Sequence, residues 1–172
     1  LLSYVDNPFK KDAKFNFDKF RSHVAMAMRM MDDIIDLELE KVEQIIEKIA
    51  ADPEDEDVSR VELELWKKIL GMAQKGRRTG LGITAEGDML AALGLVYGSE
   101  EAIAFAVEVQ KTLAVEAYRA SVKMAAERGA FPVYDAAKEK DNPMIARIRE
   151  ADPELYAEME KVGRRNIDML TI

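Results

Sequence analysis

The sequence predicts a mostly helical chain with two short parallel strands, and three observations carry that expectation. Apolar residues recur at steps of three and four over long stretches, the spacing of an amphipathic helix. Glycines and the pairs Asn142-Pro143 and Asp152-Pro153 punctuate those stretches where helices would stop and start. Gly-Arg-Arg occurs twice, at 76–78 and 163–165, each time between a helical stretch and a short apolar segment.

"LLSYVDNPFKKDAK" reads as extended or irregular. Asn16 then caps a helix, with Asp18 in the first turn and Phe15 and Phe20 spaced as a hydrophobic staple. Phe17, Phe20, Val24, Met28, Met31, Ile35 and Leu39 form its apolar face, continued by Val42, Ile45, Ile46 and Ile49. "ADPEDED" (51–57) breaks the pattern with Pro53 and a run of acids, and reads as a solvated linker. A second helix follows, with Val58, Val61, Leu65, Ile69 and Met72 on one face and Gly76 as its C-terminal stop.

"TGLGIT" carries the first strand, Thr79–Ile83, and Thr84 is placed to cap the next helix, which Gly94 and Gly98 end. Ser99 caps a long helix through Phe105, Val109, Leu113, Tyr118 and Val122 to Gly129. "AFPVYD" is a loop. Two shorter helices start at Asn142-Pro143 and Asp152-Pro153, and Gly163 ends the last of them. Ile167–Ile172 is the second strand. Two strands joined by a long helical crossover pair in parallel.

Composition narrows the function classes. The chain has 172 residues, 48% hydrophobic and 34% charged, with a net charge of −8. No basic stripe exists to neutralise phosphates, so a nucleic-acid partner is not expected. No apolar run reaches the roughly 20 residues of a membrane span. With no cysteine, disulfides and thiolate metal sites are excluded. The chain opens at Leu1 without a methionine and stops at Ile172 after an apolar run, so it reads as a piece of something longer.

Each candidate site also has a plainer reading. Arg77, Arg78, Arg164 and Arg165 sit where helix carbonyls lack partners and acids are near, which favours a structural role over anion contacts in a fuller assembly. His23 is the only histidine and reads as surface or core. Asp32, Asp33, Asp36, Glu38 and Glu40 resemble a metal cluster, but a di-iron site would need two Glu-x-x-His pairs, and a solvated helix face is the expected reading. The glycines of "TGLGITAEG" do not complete a dinucleotide fingerprint. Met26, Met28, Met30 and Met31 read as core filler. No reaction follows from these residues.

"GRRTGLGITAEGDMLAALGLVYGSEEA", "EVQKTLAVEAYRASVKMAAERGAFPVYD" and "GRRNIDMLTI" closely resemble the catalytic chain of ribonucleotide reductases. "DLELEKVEQIIEKIAADPEDEDVSRVELELWKKI" and "NPMIARIREADPELYAEMEKVG" are most similar to the adenosylcobalamin-dependent, class II branch. The resemblance implies a piece of a ten-stranded α/β barrel. It would comprise an opening segment, long helix and acidic linker over 1–57, helix–strand–helix over 58–98, and a long helix, short helices and final strand over 99–172.

The resemblance also implies that the parent converts ribonucleotides to deoxyribonucleotides in the cytoplasm under nucleotide effectors. Its chemistry would use a thiyl radical in a finger loop, two reducing cysteines and a phosphate loop at a helix N-terminus. No position here matches those residues, so no catalytic, cofactor-binding or metal residue is expected in this chain. The piece is expected to be inactive, to bind no cofactor itself, to partner the remainder of the reductase and to form a homo-oligomer through uncovered strand edges. Two departures from the family pattern are Asp33, where an amide is usual, and Asp168, in a strand where a small apolar residue is usual. A buried Asp168 would need a partner such as an arginine. Within the family, the runner-up is the branch whose radical comes from a separate metal subunit. The reading from a different class is a stand-alone helical interaction module without chemistry.

Overall fold

Side-chain caps set where most of the helices begin. A computed structural model describes residues 1–166, most of them helical. Asn16 accepts from the Lys19 N–H at 3.0 Å and opens α1 (Phe17–Ala51). Asp55 accepts from the Asp57 N–H at 2.9 Å and opens α2 (Glu56–Gly76). Ser99 accepts from the Ala102 N–H at 3.2 Å and starts α4 (Glu100–Arg128). Asp135 caps the one-turn α5 (Ala136–Glu139), an element that local pattern does not predict. Asn142 and Asp152, each followed by proline, cap α6 (Pro143–Ala151) and α7 (Pro153–Val162) as expected. The cap at α3 (Glu86–Ala92) differs. Thr84 makes no cap there, and the N-cap position is Ala85, held at φ 61°.

Among the described residues, the strands are not those expected. Residues 77–85 form neither helix nor strand, although Leu81 and Ile83 pack on the core. The expected partner, Ile167–Ile172, lies outside the described residues, as does Asp168. The sheet that is present is a two-stranded antiparallel ribbon at the start of the chain, β1 (Val5–Asp6) against β2 (Lys14–Phe15), with Val5 opposite Phe15. The ribbon turns Phe15 inward, where its ring meets Phe20 at 5.4 Å and Phe105 at 5.9 Å. The Phe15–Phe20 staple read from the sequence is therefore one edge of an aromatic cluster joining the ribbon, α1 and α4.

The main core lies between α1 and α4, with α6 and α7 packed on α4 and α2 packed on α1. From α1 it takes Phe20, Val24, Met28 and Ile35. From α4 it takes Val109, Leu113 and Val122, together with Ala102, Ala114, Ala117 and Ala125. Of the methionine group, Met28 is core filler and Met31 is half-buried, whereas Met26 and Met30 are exposed. The face of α2 also differs from expectation. Val58, Val61, Leu65 and Met72 point to solvent, while Leu63, Trp66 and Leu70 are partly covered. Both stripes have helical spacing, so periodicity alone could not choose between them.

Gly163 ends α7 at φ +76°, a backbone conformation that suits glycine. A Cβ there would stand 2.7 Å from the Ala130 Cβ and 3.1 Å from the Tyr134 ring. The Ala130 methyl cannot swing away, so backbone would have to move. Gly163→Ala is expected to lower unfolding stability by about 2–4 kcal/mol, combining strain and overlap, measured by urea denaturation. A loss below about 0.5 kcal/mol would show that the turn relaxes freely.

Candidate functional site: one carboxylate shared by three arginines

Asp32 lies four residues after Met28 and three before Ile35, so α1 carries it onto the same inward stripe. It is 0% exposed. The solvated-face reading of the acidic cluster is therefore corrected at Asp32. It holds at Glu38 and Glu40, which are exposed. A buried carboxylate needs donors to replace water, and five hydrogen bonds supply them. Arg77 gives Nε to Oδ1 at 3.0 Å and Nη2 to Oδ1 at 2.8 Å. Asn166 gives Nδ2 to Oδ1 at 3.0 Å. Arg128 gives Nη1 to Oδ2 at 3.1 Å, and Arg165 gives Nε to Oδ2 at 3.3 Å.

The arginines have other acceptors as well. Arg77 Nη1 reaches Asp36 at 2.7 Å and Arg128 Nη1 reaches Asp33 at 2.7 Å. Asp33 thus serves as an acceptor for Arg128. Arg165 Nη1 bonds the carbonyls of Arg128 and Gly129, the exposed end of α4. Three acids face three arginines, so the cluster is neutral as a whole.

Desolvation pushes the Asp32 carboxyl up. The Arg77 hydrogen bonds and charge, the Arg165 charge and the Asn166 amide outweigh it and hold the group below the ordinary aspartate range. Burial works against the charge on Arg77, but Asp36 and Asp32 raise its pKa above the usual value. The carboxylates of Asp32, Asp33 and Asp36 lie within 4.8 Å of one another, close enough to hold a cation. Guanidinium groups already bridge them. An ionised carboxylate with both oxygens saturated is a poor base, nucleophile or metal ligand. Its capacity is to fix backbone.

The two Gly-Arg-Arg stretches meet here. Asn166 Nδ2 also bonds the Arg77 carbonyl at 3.2 Å. Ser121 on α4 accepts from the backbone N–H groups of Arg165 at 3.0 Å and Asn166 at 3.1 Å, and donates to Asn166 Oδ1 at 3.0 Å. Arg164 takes a different route. It is buried between the rings of Tyr118 and Phe131, 5.6 and 5.5 Å from their centroids, and pairs with Glu139 at 2.6 Å. Arg78 is exposed. His23 sits at the start of α1 with Nδ1 3.2 Å from the Tyr4 hydroxyl, away from the cluster. Sequence reading missed Ser121, Arg128, Asn166 and the burial of Asp32. The Met28–Asp32–Ile35 spacing was the one available signal.

A separate cleft of about 1160 Å³ opens between α3, α4 and α6. Leu90, Ala114, Val115 and Ile148 line it, with Lys111 and Arg147 among the charged groups. None of the expected candidates reaches it.

A family model for the ribonucleotide reductase barrel domain matches residues 1–172. The chain belongs to the ribonucleotide reductase barrel-domain family. It is 30% identical over 123 residues to the vitamin B12-dependent ribonucleoside-diphosphate reductase of Mycobacterium tuberculosis, covering 72% of this chain and 14% of that protein. The protein of the same description from Thermoplasma acidophilum is 33% identical over 121 residues, 70% of this chain and 13% of the relative. A ribonucleoside-diphosphate reductase subunit alpha of Chlamydia pneumoniae is 26% identical over 128 residues, 74% of this chain and 10% of the relative. The chain thus spans about a seventh of the length of the first two. Among the described residues, no helix is long and apolar enough to cross a membrane.

Removing the Asp32 charge would leave buried guanidinium groups uncompensated. Asp32→Asn is expected to cost about 3–5 kcal/mol of stability, the usual range for breaking one side of a buried pair. Because the folded carboxyl is held low, its stabilisation is complete above the ordinary aspartate value near pH 3.9, and it is lost as pH falls towards the folded value. Chemical denaturation between about pH 7 and pH 2 should therefore show a steeper acid limb for the parent than for Asp32→Asn. Parallel curves would remove Asp32 as a source of the acid sensitivity.

Proposed function

We propose that this chain is the scaffold part of the catalytic barrel of an adenosylcobalamin-dependent ribonucleotide reductase, which converts ribonucleotides to deoxyribonucleotides. The observation that carries the reading is the 30–33% identity to two reductases named as vitamin B12-dependent. The match to a reductase subunit alpha is lower, at 26%. In this reading the substrate is a ribonucleoside phosphate, nucleotide effectors regulate the parent in the cytoplasm, and the partner is the remainder of the reductase.

This chain's own residues do not fit a cobalamin site. Its one imidazole is engaged by Tyr4, and its buried charges are spent on one another. With no cysteine, the chain cannot form the thiyl radical its family uses. We therefore assign it no catalytic, cofactor-binding or metal residue and derive no chemical step from it.

What the chain contributes is placement. Thr79–Ile83 and Ile167–Ile172 would enter the barrel as two parallel strands. The Asn166–Arg77 hydrogen bond supports this, since it holds the chain just before both segments side by side. The exposed Val96 and Tyr97 and the cleft beside α4 offer apolar surface for the rest of the barrel to cover.

The test is an assay of the full-length protein with adenosylcobalamin, a dithiol and ribonucleoside diphosphates, beside the 172-residue chain alone. Deoxynucleotide is expected from the first and none from the second. Turnover by the shorter chain would sink the scaffold assignment. A cobalamin-independent full-length enzyme would sink the class II assignment.

A further inference from the structure

The outward stripe of α2 has a symmetry that the fold does not use. Val58, Val61, Leu65 and Met72 are 48–60% exposed, and Ile69 between them is half-buried. These five residues run about 21 Å along a helix of 21 residues. They are arranged evenly about Leu65: Val61 and Ile69 lie four residues away on either side, Val58 and Met72 seven. A stripe read the same way from both ends fits an antiparallel copy of itself, with Leu65 on the two-fold axis.

Charge selects the same arrangement. The first half of α2 is mainly acidic, with Glu56, Asp57, Glu62 and Glu64 against Arg60, and Asp55 just ahead of it. The second half carries Lys67, Lys68 and Lys75 and no acid. Antiparallel pairing about Leu65 lays the acidic half of each helix along the basic half of the other, with Glu62 level with Lys68 of the second copy and Asp55 level with its Lys75 across the apolar seam. All four are exposed. Parallel pairing would set like charges together, at a cost.

We propose that α2 is a self-association surface, pairing antiparallel with α2 of a second copy of this chain about Leu65. This surface is distinct from the strand edges from which a homo-oligomer was expected. It involves neither the Asp32 cluster nor the cleft beside α4. A single helix pair buries less than a standard interface of roughly 1,600 Å², so the dimer is a weak one of micromolar affinity.

Sedimentation of the 172-residue chain on the order of 100 µM should show a species of twice 19.4 kDa. Glu62→Lys/Glu64→Lys cancels the net negative charge of the half that lies along the lysines of the second copy and should weaken association about tenfold. Mixing it with Lys67→Glu/Lys68→Glu, whose acidic first half meets the unchanged lysines, should recover association as a heterodimer to within about threefold. A monomer at this concentration, or a dimer indifferent to these changes, would overturn the proposal and leave the rest of a longer chain, or another partner, as the occupant of the stripe.

Because the chain has no cysteine, disulfide trapping reads the geometry directly and does not depend on tolerance of buried charge. Leu65→Cys should cross-link to itself. Val58→Cys mixed with Met72→Cys should cross-link faster than Val58→Cys alone. Faster self-linking of Val58→Cys would indicate parallel helices and refute the pairing. Helical circular dichroism matching the parent is the control for every variant. None of these readouts depends on reductase activity, so their failure is separable from failure of the proposed function.

Discussion

A single ionised carboxylate in a dry site constrains this chain more than any other group. Asp32 must be satisfied from within, because burying an unpaired charge costs several kcal/mol even after relaxation. Its donors come from the end of α2, the last turn of α4 and the segment after α7, positions 45 to 134 residues away in sequence. None of these three places can drift without leaving the carboxylate short of a donor. Elsewhere apolar packing holds the helices together, and it tolerates small slips. The Asp32 cluster does not, since hydrogen bonds weaken steeply with distance and angle.

This division of labour explains a local oddity. Arg77 sits in the left-handed region, at φ 44° and ψ 52°, directly after Gly76, which remains helical. A glycine at the next position would carry less backbone strain, on the order of 1 kcal/mol less. It would also delete three hydrogen bonds to Asp32 and one to Asp36. Losing those four bonds would cost more than the strain they impose, so the arginine keeps the unfavourable backbone. Buried ion clusters often add little net stability relative to a well-packed apolar core. What this one adds is a link, since its bonds tie α1, α2, α4 and 163–166 together at a single carboxylate.

The sequence made the helix starts legible and the cluster largely illegible. Asn16, Ser99, Asn142 and Asp152 act through neighbours two or three residues away, so local pattern was enough to find them. The Gly76 stop held, since α2 ends there, but the positive φ fell on Arg77, whose side chain bonds Asp32; the Thr84 cap failed, because the N-cap position is Ala85. Asp32 was hidden among Asp33, Asp36, Glu38 and Glu40, where a run of acids on a helix ordinarily faces water. Its burial depended on arginines far away in sequence. The outward stripe of α2 was visible, but its direction was not, since Leu63, Trp66 and Leu70 repeat with the same period on the adjoining face.

The repeated Gly-Arg-Arg shows how equal sequence can serve one end by unequal means. In the first copy, the helix runs through the glycine, the positive φ falls on Arg77, and that arginine turns straight onto Asp32. In the second, α7 stops at Val162, the positive φ falls on Gly163, and the chain enters the cluster one residue out of step. Arg164 is then carried between Tyr118 and Phe131, and the following Arg165 and Asn166 reach Asp32. Ala130 and Tyr134 crowd Gly163, so any side chain at that turn would collide. The two stretches are therefore not structural repeats. They are two approaches to the same carboxylate, which gathers them so that the Asn166 side-chain amide also bonds the Arg77 carbonyl.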